Sequence, residues 1–199
     1  MMSVRDLRVR FGDVTVLRLD KLDLRENETV GVVGPNGSGK STLLRVLAGL
    51  LLPTSGNIRN LPRPGQVVLV HQEPYFFTGS VRDNLVYALR LAGLPAAAAE
   101  TWMQRAQAEH LADRPAGTLS VGERRRLAIA RALAVAPQLL LVDEPLAALD
   151  AVHRDIIMNE LADFTGTLVV AGPTADGLGY DRIVNLPDVN FVGSGPGFL

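Results

Sequence analysis

Apolar and polar positions alternate at the start of the chain. Leu7, Val9 and Phe11 share one side of this pattern, and further alternating stretches continue to Leu24. A period of two residues is typical of half-buried strands, and a turn is predicted at Gly12-Asp13. The first residues therefore predict an antiparallel β lobe.

Farther along, short apolar runs alternate with stretches of helical spacing. The apolar runs predict buried strands at residues 29–33, 67–70, 139–142 and 167–171. The helical spacing predicts helices at residues 40–51, 80–94, 95–112, 122–136 and 151–164. Alternation of strands and helices is typical of a parallel α/β sheet.

A glycine-rich loop joins the first buried strand to the first helix and matches the pattern G-x-x-x-x-G-K-[ST]. Its glycines allow backbone N–H groups to face an anion, and the positive end of the following helix dipole favours the same ligand. Lys40 would supply a cation for the β- and γ-phosphates of ATP, and Ser41 a hydroxyl for Mg²⁺. A plain strand-to-helix turn is the alternative, but the buried strand before the loop and the amphipathic helix after it favour phosphate binding. The expected binding residues are Gly34, Pro35, Asn36, Gly37, Ser38, Gly39, Lys40, Ser41 and Thr42.

Two carboxylates end the apolar run at residues 139–142. Asp143 is a candidate Mg²⁺ ligand through water, and Glu144 a candidate base that polarises water for in-line attack on the γ-phosphate. A helix cap is the simpler interpretation because Pro145 follows, and both roles are compatible.

Composition narrows the possible partners. Twenty Lys and Arg against twenty-one Asp and Glu give a net charge of −1, so no nucleic-acid partner is expected. The basic run Arg124-Arg125-Arg126 is interpreted as a solvated helix face. The sequence has no cysteine, and no apolar run approaches the roughly 20 residues needed to span a bilayer. A membrane role would therefore come through a partner.

Several segments together resemble the nucleotide-binding domain of ABC (ATP-binding cassette) proteins. Residues 119–133 (LSVGERRRLAIARAL) resemble the family's signature segment, with Val121 where glycine is usual. Gln72 matches the Q-loop glutamine, and Leu149-Asp150 matches the D-loop. The resemblance implies a P-loop NTPase with a RecA-like parallel sheet core, an N-terminal antiparallel β lobe and an inserted α-helical lobe. It implies one domain over residues 1–199, with the core and β lobe in 1–77 and 136–199 and the helical lobe in 78–135.

The resemblance also implies a head-to-tail pair of cassettes, with each ATP between the loop of one subunit and the signature of the other. Ser120, Gly122 and Glu123 would meet the partner's nucleotide, although a Ser at a helix start is more often a simple cap. Asp150 would also belong to the nucleotide site. Gln72 would act in catalysis and, with Ser41 and Asp143, hold Mg²⁺.

Aromatic residues have two interpretations each. Phe11 matches the position that stacks on adenine in the family, yet its alternation with Val9 equally fits a strand residue that faces the core. Tyr75-Phe76-Phe77 match the surface that receives the membrane subunit, and core packing is the alternative.

The chain departs from the family at Gly172, where a histidine that contacts the γ-phosphate is expected. We therefore predict slow turnover that depends on Glu144. The expected function is an importer-like ATPase subunit, cytoplasmic and held on the inner face of the membrane by a permease. Its second ATPase subunit is an identical copy or a related chain. The alternatives are a cytosolic ABC ATPase without a transport role and a weakly hydrolysing, nucleotide-gated regulatory module.

Overall fold

The computed structural model describes residues 2–147, 149–175 and 177–187. Within them the strands form two sheets, one antiparallel and one parallel. This architecture confirms the predicted parallel core and antiparallel lobe.

The antiparallel sheet has the order β2-β1-β4. β1 (Met2–Phe11) pairs with β2 (Val14–Leu24) across the predicted turn, and with β4 (Ser55–Arg59) on its other side. Val4, Leu7 and Val9 are buried beneath it, and the alternation shifts by one residue at Asp6, which has φ of 51°. The sequence did not predict β4, because its residues are polar apart from the half-buried Ile58.

The parallel sheet has the order β5-β6-β7-β3-β8. Its strands are β3 (Thr29–Val33), β5 (Val67–Val70), β6 (Leu139–Asp143), β7 (Thr167–Gly172) and β8 (Arg182–Asn185). All five residues of β6 are buried, as a strand covered on both faces must be. β8 was not predicted, because it is a short edge strand whose exposed and half-buried residues alternate.

The helices lie close to their predicted positions. They are α1 (Lys40–Leu47), α2 (Val81–Leu91), α3 (Ala98–Arg105), α4 (Val121–Ala134) and α5 (Ala151–Ala162). α1 ends four residues early, where Gly49 turns left-handed with φ of 72°. The prediction of one helix over residues 95–112 was wrong, because Gln107 has φ of 49° and only short 3₁₀ turns follow.

Two hydrophobic clusters cover opposite faces of the parallel sheet. Leu140 and Val142 of β6 pack into a cluster with α2, α3, α4 and α5, whereas Leu139 and Leu141 pack into a cluster with the β lobe and α1. β6 therefore joins the two halves of the core. The domain boundaries at residues 77/78 and 135/136 stay a prediction.

The basic run on α4 is a correction to the sequence analysis. α4 packs against α2, α3 and α5, so residues in its second turn face inward. Arg125 and Arg126 are buried, and the interpretation of the whole run as a solvated face was wrong.

Candidate nucleotide-binding site

The glycine-rich loop follows β3 and ends at the first residue of α1. Gly39 has φ of 91°, and a Cβ there would lie 2.4 Å from the carbonyl oxygen of Val16. A Cβ on Gly34 would lie 2.6 Å from Ser38 Oγ. The fold therefore requires glycine at both positions.

Lys40 lies inside this loop. Its side chain is buried, and Nζ donates to the carbonyl oxygens of Gly34 at 2.8 Å and Pro35 at 3.0 Å. Ser38 Oγ is buried without a hydrogen-bond partner in the described part of the chain. A buried ammonium group and an unpaired buried hydroxyl within a glycine-rich loop fit an anionic ligand.

Strand order brings the two carboxylates to the same edge as the loop. β7 lies between β3 and β6, with Gly172 beside Val33 and Ala171 beside Asp143. The carboxyl ends of parallel strands are the usual place for a ligand in an open α/β sheet. The site thus combines a phosphate loop with an acidic strand end.

Glu144 is held in an unusual backbone conformation. Its φ is 47°, and its N–H donates to the carbonyl oxygen of Ala171 at 2.9 Å. Non-glycine residues with positive φ carry strain and are enriched at functional sites. The carboxylate of Glu144 accepts a hydrogen bond from Gln72 Nε2 at 3.0 Å, so the two predicted catalytic residues are in contact.

The residues predicted to hold Mg²⁺ offer a fitting donor set. Asp143 is buried, and its Oδ1 has no hydrogen-bond partner among the described residues. With Ser41 and Gln72 it supplies carboxylate, hydroxyl and amide oxygens, the hard ligands that Mg²⁺ prefers. The described residues include no cluster of three or more His, Asp or Glu suited to a metal ion. Such a site would need phosphate oxygens to complete it, as Mg²⁺ sites in nucleotide enzymes do.

The signature segment forms the capped start of α4. Ser120 Oγ accepts from the N–H of Glu123 at 3.3 Å, and Glu123 Oε2 accepts from the N–H of Ser120 at 2.7 Å. The bond from the Ser120 N–H holds the pKa of Glu123 below its usual value, although burial opposes it. The predicted cap is therefore present, and a role toward a partner's nucleotide stays a prediction.

The start of α5 touches the start of α4. Asp150 caps α5, accepting from the N–H of His153 at 2.9 Å, and the His153 Nδ1 lies 2.7 Å from the same carboxylate. These bonds, the backbone one first, lower the pKa of Asp150. A Cβ on Gly122 would lie 2.8 Å from the His153 ring.

The contact of His153 with Asp150 was not predicted from the sequence. The available signal was an Asp followed by His three residues later at a helix start. In the described part of the chain, no hydrogen bond joins Ser120, Glu123 or Asp150 to the phosphate loop.

The aromatic residues divide between surface and core. Phe11 is 56% exposed at the end of β1, so its core-facing interpretation was wrong and adenine stacking stays a prediction. Tyr75 and Phe77 are exposed, whereas Phe76 is buried and belongs to the core cluster.

An apolar groove, with a volume of about 370 Å³, lies beside these aromatic residues. Phe77 stacks edge-on against Tyr75 at 5.4 Å and against Tyr87 of α2 at 4.7 Å, measured between ring centroids. Leu91, which is largely exposed, and Val68 of β5 also line it. We call this the aromatic groove. A second cavity of about 640 Å³ lies at the opposite end of the sheet, against Leu139 and Thr167, away from the phosphate loop.

A buried strand, a glycine-rich loop, a helix that begins with lysine and an acidic neighbouring strand end define a P-loop nucleotide-binding protein. The family model described as "ABC transporter" matches residues 17–147. The chain belongs to this family, the ABC transporter ATP-binding proteins.

Individual relatives support membership of this family. The aliphatic sulfonates import ATP-binding protein SsuB 1 of Nocardia farcinica is 42% identical over 168 residues, which cover 84% of this chain and 66% of that protein. The sulfate/thiosulfate import ATP-binding protein CysA of Escherichia coli is 38% identical over 211 residues, which cover 94% of this chain and 58% of that protein. The chain thus spans less than two thirds of the length of these two curated relatives.

Solved structures show the same fold. The structure of cbiO1 from Clostridium perfringens, part of the ABC transporter complex cbiONQ, matches with a TM-score of 0.77 and 27% identity, covering 94% of this chain and 85% of that one. A putative ABC transporter ATP-binding protein from Pyrococcus furiosus matches with a TM-score of 0.81 and 24% identity. The match covers 93% of this chain and 96% of that one. Among the residues that the structure describes, no helix has the length and apolar character to cross a bilayer.

Proposed function

We propose that this chain binds and hydrolyses ATP to power a membrane transporter. The observation that carries the proposal is the position of Glu144, hydrogen-bonded to Gln72 at the sheet edge from which the phosphate loop starts. The named relatives are import subunits, which favours a transport role over a cytosolic ABC ATPase without one.

Phosphate binding would change the partners of Lys40. Its ammonium now bonds to two loop carbonyls, and the γ-phosphate of ATP offers a charged acceptor in their place. The loop N–H groups and the start of α1 hold the remaining phosphate oxygens. Mg²⁺ held by Ser41, Asp143 and Gln72 would neutralise charge on the β- and γ-phosphates.

Hydrolysis would rely on Glu144. Its carboxylate would accept a proton from the water that attacks the γ-phosphate. Gln72 donates to Oε2, so the other carboxylate oxygen, Oε1, can accept from that water. Gly172 ends β7 at the same edge and has no side chain to orient that water. Turnover is therefore slow. Gly172 is also the observation that favours the second candidate, a nucleotide-gated regulatory module with little hydrolysis.

The second half of each nucleotide site would come from another cassette. The first turn of α4 presents free backbone N–H groups beyond its cap, and Val121 at its first position is exposed. A partner cassette, as an identical copy or a related chain, would place its ATP here. Ser120, Gly122, Glu123 and Asp150 then lie at the contact between subunits.

The aromatic groove would receive a helix of the permease. It exposes Tyr75, Phe77 and Leu91 on the helical side of the molecule, and exposed aromatic patches of this kind mark protein contacts. Attachment through this groove would hold the chain, as a cytoplasmic protein, on the inner face of the membrane.

Affinity purification in mild detergent tests the transport role. We expect the tagged chain to retain a multi-span permease, and Phe77→Asp to lose it. Leu52→Asp is the matched control, because Leu52 is equally apolar and 86% exposed but lies outside the groove. A chain that binds ATP normally yet retains no membrane protein would contradict a transport function.

A further inference from the structure

One buried charge on α4 is not explained by nucleotide binding. Arg125 lies in the second turn of α4 and is only 8% exposed. A guanidinium group stays charged in proteins, and removing it from water costs several kcal/mol unless partners compensate. Its surroundings therefore show what the charge does.

Arg125 faces the Q-loop segment and the acidic strand end. Its Nε donates to the carbonyl oxygen of Gln72 at 3.3 Å, and one terminal nitrogen is buried without a hydrogen-bond partner in the described part of the chain. Burial lowers the pKa of Arg125, while the negative charges of Glu144 and Glu73 oppose that effect. The cation thus lies within the electrostatic reach of Glu144.

Gln72 connects Arg125 to Glu144. Its backbone carbonyl accepts from Arg125, and its side-chain Nε2 donates to Glu144 Oε2 at 3.0 Å. One contact is made by the backbone of Gln72 and the other by its side chain, so the same residue bonds to both Arg125 and Glu144. A continuous polar path therefore runs from the second turn of the signature helix to the end of β6.

The neighbouring buried cation, Arg126, interacts with other carboxylates. Burial lowers the pKa of Arg126, and the charges opposing it are those of Glu123, Asp150 and Glu109. Arg126 therefore faces the capped starts of α4 and α5. Of these two buried arginines, Arg125 is the one directed at the hydrolytic pair.

We propose that Arg125 is a positioning residue, which holds Gln72 and through it orients Glu144, so that the signature helix and the hydrolytic pair move together. The inference rests on the proposed ATP hydrolysis at Glu144. Among the described residues, the hydrogen bond of Arg125 goes to Gln72, and none joins it to the phosphate loop or to Glu144. A displacement of α4 on contact with a partner cassette would reach Glu144 along this path.

The first test replaces Arg125 by Met, which removes the charge and the hydrogen bond to Gln72 but keeps an unbranched apolar side chain. We expect kcat to fall about tenfold, the effect of losing a charge-assisted hydrogen bond, while KM for ATP changes less than about twofold. Arg125→Lys, which keeps the charge, should recover most of the lost kcat. Arg90→Met, on the exposed side of α2, is the control and should match wild type.

A double-mutant cycle shows whether Arg125 acts through Gln72. In a Gln72→Ala background, Arg125→Met should cause no further loss of kcat, because the path is already broken. A tenfold loss that persists in that background would overturn the proposal, as would a kcat unchanged by Arg125→Met. If Arg125→Met does not fold, Arg125→Lys takes its place, and any loss it causes must likewise vanish with Gln72→Ala.

A nucleotide-free measurement separates this inference from the proposed function. The Gln72 side-chain amide signals in a ¹H–¹⁵N spectrum can be assigned by their absence in Gln72→Ala. We expect Arg125→Met to shift them and Arg90→Met to leave them in place. If wild type hydrolyses no faster than Glu144→Gln, the proposed function fails, and this spectrum still decides the inference: unmoved Gln72 signals would overturn it.

Discussion

Gly172 lies beside the phosphate loop at the carboxyl end of β7. It pairs with Val33, the residue before Gly34. Its φ is not positive, and the nearest atom to a Cβ built there would be the carbonyl oxygen of Thr174 at 3.3 Å. Backbone conformation therefore does not require glycine at this position, and a side chain can be added with a small local shift.

Gly172→His is expected to raise kcat. An imidazole at this strand end can orient the attacking water and contact the γ-phosphate, and such proton-relay groups contribute at least about tenfold. Steady-state ATP hydrolysis measures the effect. Gly172→Ala is the matched control, with the same added Cβ and no imidazole. Equal rates for the two variants would contradict this account of slow turnover.

Residue positions were predictable where a local pattern carries the chemistry. The loop from Gly34 to Ser41 and the pair Asp143-Glu144 could be assigned because strand, turn and helix signals surround them. The role of Gln72 was implied only by resemblance, and its contact with Glu144 was not predicted, since 72 residues separate the two. The contacts of Arg125 and His153 were not predicted, because no spacing rule reports which distant segment a side chain will meet.

At the scale of elements, the starts of α4 and α5 form one unit. Each has an acidic or hydroxyl cap, and they touch through Gly122 and the His153 ring. The capping box of α4 was predictable from Ser120 and Glu123, three residues apart. Strands β4 and β8 were not predictable from the sequence, because polar edge strands lack the apolar pattern on which strand prediction depends.

The cap of α4 makes stability depend on pH. The folded pKa of Glu123 lies below its unfolded value of about 4.3, so its contribution is present above that pH and is lost as pH falls through the folded pKa. Compared with Glu123→Gln, which keeps the hydrogen bond but cannot ionise, wild type should be more stable at pH 7 by about 1 kcal/mol or less. Urea unfolding at pH 7 and at acid pH should show this difference shrinking. A stability difference between wild type and Glu123→Gln that stays constant with pH would contradict a stabilising role of the Glu123 charge.

The contact between α4 and α5 predicts an unusual effect of Gly122→Ala. Alanine normally stabilises a helix relative to glycine, by up to about 1 kcal/mol. Here its Cβ would meet the His153 ring within 3.0 Å, and overpacking of this kind costs about 1–3 kcal/mol. Thermal unfolding should show Gly122→Ala destabilised in wild type and neutral or stabilised in a His153→Ala background. If Gly122→Ala lowers the stability equally in both backgrounds, the contact between position 122 and the His153 ring would be contradicted.

At the scale of the whole molecule, one parallel sheet separates two apolar clusters, and the candidate nucleotide site lies at its carboxyl edge. The exposed side chains Val121 and Val152 lie at the starts of α4 and α5, on the surface proposed to meet a second cassette. The architecture was predictable from the alternation of elements, whereas the burial of Arg125 and Arg126 depends on how α4 packs.

ATP should drive self-association when hydrolysis is blocked. Glu144→Gln keeps the phosphate loop but lacks the base, so the bound nucleotide persists and holds two copies together. Size-exclusion chromatography with light scattering should show a dimer with Mg²⁺ and ATP, and a monomer when Lys40→Ala is added. A monomer that still binds ATP would contradict pairing between identical copies and favour a related chain as the partner.

The most direct test of the account is the rate of Mg²⁺-dependent ATP hydrolysis by the purified chain beside its Glu144→Gln variant. We predict slow turnover that is at least about a hundredfold faster in wild type, the usual effect of a catalytic base. Wild type hydrolysing no faster than the variant would contradict the central claim that Glu144 makes this chain an ATPase.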